Sequence, residues 1–115
     1  MERGLQLHDH IEDELGRAFE LYQEFDIPNG IEDLKTTLGY MRNHKDCNGA
    51  VGCIGYCLGG FLSVALSIEC DIDAAISYYG VNLPALLEKG SDFQRRLLVQ
   101  LASEDEFVPP GDQRL

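Results

Sequence analysis

A chain of 115 residues is long enough for one modest domain, and 44% hydrophobic with 25% charged residues is an ordinary balance for a soluble globular protein. A net charge of −11, with no basic cluster, argues against nucleic acid and anionic membrane surfaces as partners. No apolar run approaches the ~18 residues of a membrane-spanning helix, and Met1-Glu2-Arg3-Gly4 does not open a signal peptide, so a cytoplasmic protein is expected.

Residues 1–8 lack periodicity. From Asp9 to Phe25, apolar residues recur at Ile11, Leu15, Ala18, Phe19, Tyr22 and Phe25, in the steps of three and four that mark one helix face. The expected helix is 9–25, with Asp9 as N-cap and Glu12 three residues on, close to a capping box. Ile27-Pro28-Asn29-Gly30 reads as a turn in which Asn29 caps a second amphipathic helix, 30–44, carried by Ile31, Leu34, Leu38 and Met41. Lys45 to Gly49 is a turn. A strand over 50–56 follows, and then an apolar segment from Phe61 to Ile68 that suits a helix buried all round.

Asp71 to Asp73 links this helix to a second buried strand, 74–79. A loop with one short helix around Leu83–Leu87 leads to a third strand, 96–102. Ser103 to Pro110 is a loop, and Gly111 to Leu115 begins another helix. This alternation predicts an α/β fold: a parallel sheet of about three strands with helices on its faces. Chemistry in such sheets sits outside the carboxyl ends of the strands. Cys57 and Asp105 both fall there, each just after a strand.

The four cysteines, Cys47, Cys53, Cys57 and Cys70, contain no C-x-x-C pair, which removes zinc-ribbon and thioredoxin-type readings. Cys53 belongs to the strand core. Cys57 is different, because it stands in Gly55-Tyr56-Cys57-Leu58-Gly59-Gly60 between a strand and a helix. That is the form of a nucleophile elbow, with cysteine where serine is usual. The nucleophile sits on strained backbone at the strand end, and Gly55 and Gly59 leave room for strand and helix to pass closely. The helix aims its first N–H groups at Cys57, which favours negative charge on sulfur. The N–H of Leu58 is a natural oxyanion donor. The segment fits neither G-x-G-x-x-G nor G-x-x-x-x-G-K-[ST], so a nucleotide site is a poor alternative. A buried cysteine acting as a small hydrophobe is the bland one. Asp105 has its own bland reading, a turn aspartate capping the last helix, with Glu104 and Glu106 as neighbouring candidates.

Three stretches together resemble the dienelactone hydrolases, an α/β-hydrolase family: Gly55 to Gly60, Ala75-Ile76-Ser77-Tyr78-Tyr79-Gly80-Val81, and Asp105-Glu106-Phe107-Val108-Pro109-Pro110. Phe25-Asp26 through Asp33-Leu34 is similar too. The resemblance implies a single partial α/β-hydrolase domain over 1–115, the central part of the family fold. It implies Cys57 as nucleophile, Asp105 as triad acid, a small-molecule ester or lactone substrate, and neither metal nor cofactor. The reference reaction opens an unsaturated lactone to an acid.

The pattern breaks at the third triad member. His8, His10 and His44 all precede Cys57, and no histidine follows Asp105 in this sequence. The family's N-terminal strands and its C-terminal strand and helix are likewise expected to have no counterpart. Two readings follow. Either this is a truncated hydrolase, inactive by itself, or it is a non-catalytic binding or scaffold protein that forms a homo-oligomer through exposed sheet edges.

Overall fold

The computed structural model describes residues 4–88 and 96–102. The chain divides into two compact units, 1–30 and 31–115.

In the first unit, α1 spans Glu12–Glu24. Its first turn carries Glu12, Asp13 and Glu14, whose charge suits the positive end of the helix dipole. The expected cap at Asp9 is not used. Ile11 holds the cap position in extended backbone, no side chain caps it, and the helix starts three residues later than expected. Glu14 instead reaches back, its carboxylate accepting the His8 N–H at 2.6 Å. Phe25 ends the helix in extended conformation, with ψ of 120°.

The expected turn at Ile27–Gly30 is the first turn of α2, which spans Ile27–Arg42. Asp26, not Asn29, closes its start: the Asp26 carboxylate accepts the Asn29 backbone N–H at 3.1 Å and the Asn29 side-chain amide at 2.8 Å. Pro28 is tolerated because first-turn residues have no helical acceptor to lose. Gly30 lets the Phe25 ring pack close, since a Cβ there would lie 2.6 Å from Phe25 Cζ and the ring would have to shift.

In the second unit, α2 continues to Arg42, two residues short of the expected end. Arg42 donates to the Asp71 carbonyl and pairs with the Asp73 carboxylate at 3.3 Å. Asp73 also accepts the Val51 N–H at 2.7 Å, and its own N–H donates to the Val51 carbonyl at 3.0 Å. The first strand begins just past this clamp, at Gly52, two residues later than expected.

Three strands follow: β1 (Gly52–Tyr56), β2 (Ala74–Tyr78) and β3 (Arg96–Gln100). They form one parallel sheet in the order β1-β2-β3. Ile54, Ile76 and Leu98 lie abreast, and so do Tyr56, Tyr78 and Gln100. Helix α3 (Leu58–Glu69) connects β1 to β2 and covers one face. The buried apolar residues are Ile31, Val64, Ala65, Leu66, Ile72, Ala75, Val81 and Leu83, and Ser77 is fully buried. A short α4, Leu83–Leu87, follows β2. Helices were expected on both faces. On the face away from α3, Ile54 is 54% and Leu98 48% exposed among the described residues.

Candidate active site

Local sequence explains the elbow. Five strand residues end at Tyr56 and α3 begins at Leu58, so Cys57 alone makes the turn. It does so with φ of 54° and ψ of −114°, a conformation that L residues rarely adopt. Two backbone bonds hold it. The Cys57 N–H donates to the Tyr78 carbonyl at 3.1 Å, tying the turn to the end of β2, and its carbonyl accepts the Phe61 N–H at 3.2 Å. The thiol is exposed, so the reading of a merely buried cysteine fails for this residue. Leu58 is the first helical residue, and its N–H therefore has no acceptor within the helix.

Gly55 is where strand and helix touch. A Cβ there would lie 1.9 Å from the Gly59 carbonyl oxygen and 2.5 Å from Ser63 Oγ. Gly59 contributes that backbone, but its own missing side chain is not what makes room: a Cβ on Gly59 would meet nothing within 4 Å. The second contact is at Gly60, which sequence reasoning passed over. A Cβ on Gly60 would lie 2.7 Å from Gly80 Cα and from Ser77 Oγ. The Gly59-Gly60 doublet and the glycine ending Tyr78-Tyr79-Gly80 were its signal. Ser77 Oγ is buried in this seam with no hydrogen-bond partner among the described residues, and Ser63 Oγ donates to the Gly59 carbonyl at 2.9 Å.

The other thiols are placed differently. Burial pushes the Cys53 thiol up, against a lowering contact from Ser63. Burial also pushes the Cys70 thiol up, partly offset by the Lys35 ammonium. Cys47 lies at the opposite end of β1 from Cys57. It lines an open groove of about 580 Å³ with Tyr40, Met41, His44, Asp46, Asn48 and Ala50. His44 is committed there, its Nδ1 accepting the Asp46 N–H at 3.2 Å. Five strand residues at ~3.3 Å each separate that end from the elbow, so His44 is not beside Cys57. His8 and His10 lie in the first unit. Asp105, with Glu104 and Glu106, falls outside the described residues. Among the described residues, no three of His, Cys, Asp or Glu cluster in a way that would hold a metal ion. No described helix is long and apolar enough to cross a membrane.

The arrangement is an exposed thiol on strained backbone, at the carboxyl end of a parallel strand and at the N-terminus of a twelve-residue helix. Nucleophilic attack with backbone stabilisation of an oxyanion is the chemistry such a turn supports. The profile of the dienelactone hydrolase family matches residues 8–115. Carboxymethylenebutenolidases from Pseudomonas putida and from Pseudomonas knackmussii are each 35% identical to the chain over 112 residues, covering 97% of it and 48% of the relative. Carboxymethylenebutenolidase 1 of Cupriavidus pinatubonensis is 30% identical over 105 residues, 91% of this chain and 45% of the relative. The chain thus spans about half the length of the curated relatives it matches.

Proposed function

The chain belongs to the dienelactone hydrolase family, and from that premise we propose that Cys57 is the nucleophile of a carboxylic ester or lactone hydrolase. The observation that carries this reading is the backbone of Cys57: a positive φ kept on a non-glycine residue, with the thiol exposed at the strand end. The similarity to carboxymethylenebutenolidases supports a lactone as the substrate class.

As the Cys57 sulfur attacks the substrate carbonyl carbon, its thiol proton passes to a histidine oriented by Asp105 and an S–C bond forms. The oxygen takes the negative charge and accepts the Leu58 N–H, with one further donor. Collapse breaks the C–O bond of the ester, and the leaving oxygen takes that proton from the histidine. The same histidine then deprotonates water, which splits the thioester and releases the acid and the thiol. None of the three histidines here follows Asp105. We assign the proton transfers to a histidine outside these 115 residues, and the setting to the cytoplasm.

The test is hydrolysis of p-nitrophenyl acetate and of a dienelactone by the purified chain, beside Cys57→Ala. A single acylation burst without turnover is expected, absent from Cys57→Ala. Equal signals from the two proteins would remove Cys57 as nucleophile.

A second reading, a non-catalytic binding protein that forms a dimer, is favoured by one feature. Among the described residues β1 and β3 are the outer strands of the sheet, and unpaired strand edges accept another chain.

A further inference from the structure

The sequence contains two Asn-Gly pairs, Asn29-Gly30 and Asn48-Gly49. Asparagine before glycine is the pair most open to loss of its side-chain amide, because no Cβ shields the glycine nitrogen that attacks the asparagine side chain. Both asparagines are exposed, so access to water does not separate them. Their backbones do.

Asn29 stands in the first turn of α2. Its side-chain amide donates to the Asp26 carboxylate at 2.8 Å, and its backbone N–H donates to the same carboxylate at 3.1 Å. The Gly30 N–H donates to the Asp26 carbonyl at 2.9 Å, and a peptide carbonyl is not a base. Helical side chains lean toward the N-terminus, which holds the Gly30 nitrogen away from the side chain it would attack.

Asn48 lies in the turn before β1, and Gly49 after it holds φ of 92°. The Asn48 Oδ1 accepts the Ala50 N–H at 3.0 Å. That bond folds the side chain back along its own following peptide. It also draws electrons from the amide carbon, as an oxyanion donor does. The Gly49 N–H donates to the Cys47 sulfur at 3.4 Å. The attacking nitrogen thus faces a group that becomes a base when it ionises.

We infer that Asn48 is a self-modification site, where the turn converts its own asparagine to aspartate and isoaspartate with the Cys47 sulfur as proton acceptor. The ionised sulfur takes the Gly49 N–H proton, and the nitrogen bonds to Asn48 Cγ. The oxygen, now negative, keeps the Ala50 N–H. The bond from Cγ to the side-chain nitrogen then breaks, and ammonia leaves with the proton that the sulfur held. Water opens the resulting cyclic imide at either carbonyl, so the net change is amide plus water to carboxylate plus ammonium. Either product adds a negative charge to the groove that Asp46 also lines. Isoaspartate also adds a main-chain carbon to the turn from which β1 leads to Cys57.

The experiment ages the purified full chain at neutral pH and physiological temperature. Peptide mass spectrometry follows the amide-to-acid mass gain at Asn48 and at Asn29, and electron-transfer fragmentation separates aspartate from isoaspartate. Synthetic peptides carrying each pair are the unfolded references. Asn48 is expected to convert about tenfold faster than Asn29 in the folded chain, and at about the same rate in the peptides. Cys47→Ala slows Asn48 by about threefold or more and leaves Asn29 unchanged. Cys47→Ser gives the same slowing and covers the case in which alanine disturbs the turn. Asn29 also reports folding, since a variant that fails to fold ages at both pairs. Equal rates at the two pairs in the folded chain overturn the inference. So does an Asn48 rate untouched in both folded Cys47 variants.

Discussion

At the scale of single residues, Cys57 carries the tension in this molecule. Its φ of 54° with ψ of −114° suits glycine and no L side chain. Keeping a thiol there costs of order 1–3 kcal/mol. Cys57→Gly is therefore expected to raise unfolding stability by about 1 kcal/mol in urea denaturation, while abolishing the acylation burst. Cys57→Ala keeps the strain and serves as the control, with stability near that of the parent. A Cys57→Gly variant less stable than Cys57→Ala would show that the backbone there is not strained. The elbow was legible in the sequence because the strand, the small residues and the thiol are contiguous. The strain at Tyr79 was not, because nothing in Tyr78-Tyr79-Gly80 announces a positive φ. It accompanies a bond from the Tyr79 N–H to the Gln100 carbonyl, 21 residues further along the chain.

At the scale of elements, the packing of α3 on β1 and β2 depends on which glycines face the sheet. Gly59 and Gly60 are adjacent in sequence but point differently. Gly59→Ala meets open space and adds helix propensity, so stability is expected to hold or rise by up to ~1 kcal/mol. Gly60→Ala drives a methyl to within 2.7 Å of the Gly80 backbone and Ser77 Oγ, and is expected to cost about 1–3 kcal/mol by overpacking. Thermal unfolding of the two variants side by side decides it, and equal melting temperatures would contradict the close approach. Periodicity found every described helix and strand to within three residues. The boundaries moved for local reasons it does not encode: Glu14 in place of Asp9 holding the approach to α1, Asp26 in place of Asn29 holding the start of α2, and the Asp73 clamp delaying β1.

At the scale of the whole molecule, parallel sheets are normally covered on both faces, and among the described residues one face of this sheet carries half-exposed apolar side chains. Here Ile54, Ile76 and Leu98 form an apolar row abreast across three strands, with its outer members half exposed. Sedimentation equilibrium of the isolated chain tests the dimer reading. Self-association through the outer strands β1 and β3 is expected, and it should persist in an Ile54→Gln, Leu98→Gln double variant, which changes side chains on the sheet face and leaves the backbone edges intact. A monomer at all concentrations would exclude pairing through the strand edges. High salt should strengthen association, because it screens the repulsion between chains of net charge −11.

The sequence by itself determined the alternation of elements, the parallel sheet, the position of Cys57 after its first strand and the family. Each of these depends on short-range pattern: hydrophobic period, glycine spacing and the order of motifs. Tertiary structure decided which glycine makes room for the helix, which acid clamps which strand, and which carbonyl, that of Tyr78, holds the Cys57 N–H. Those depend on contacts between segments far apart in the chain, and no local pattern records the distance at which two backbones meet.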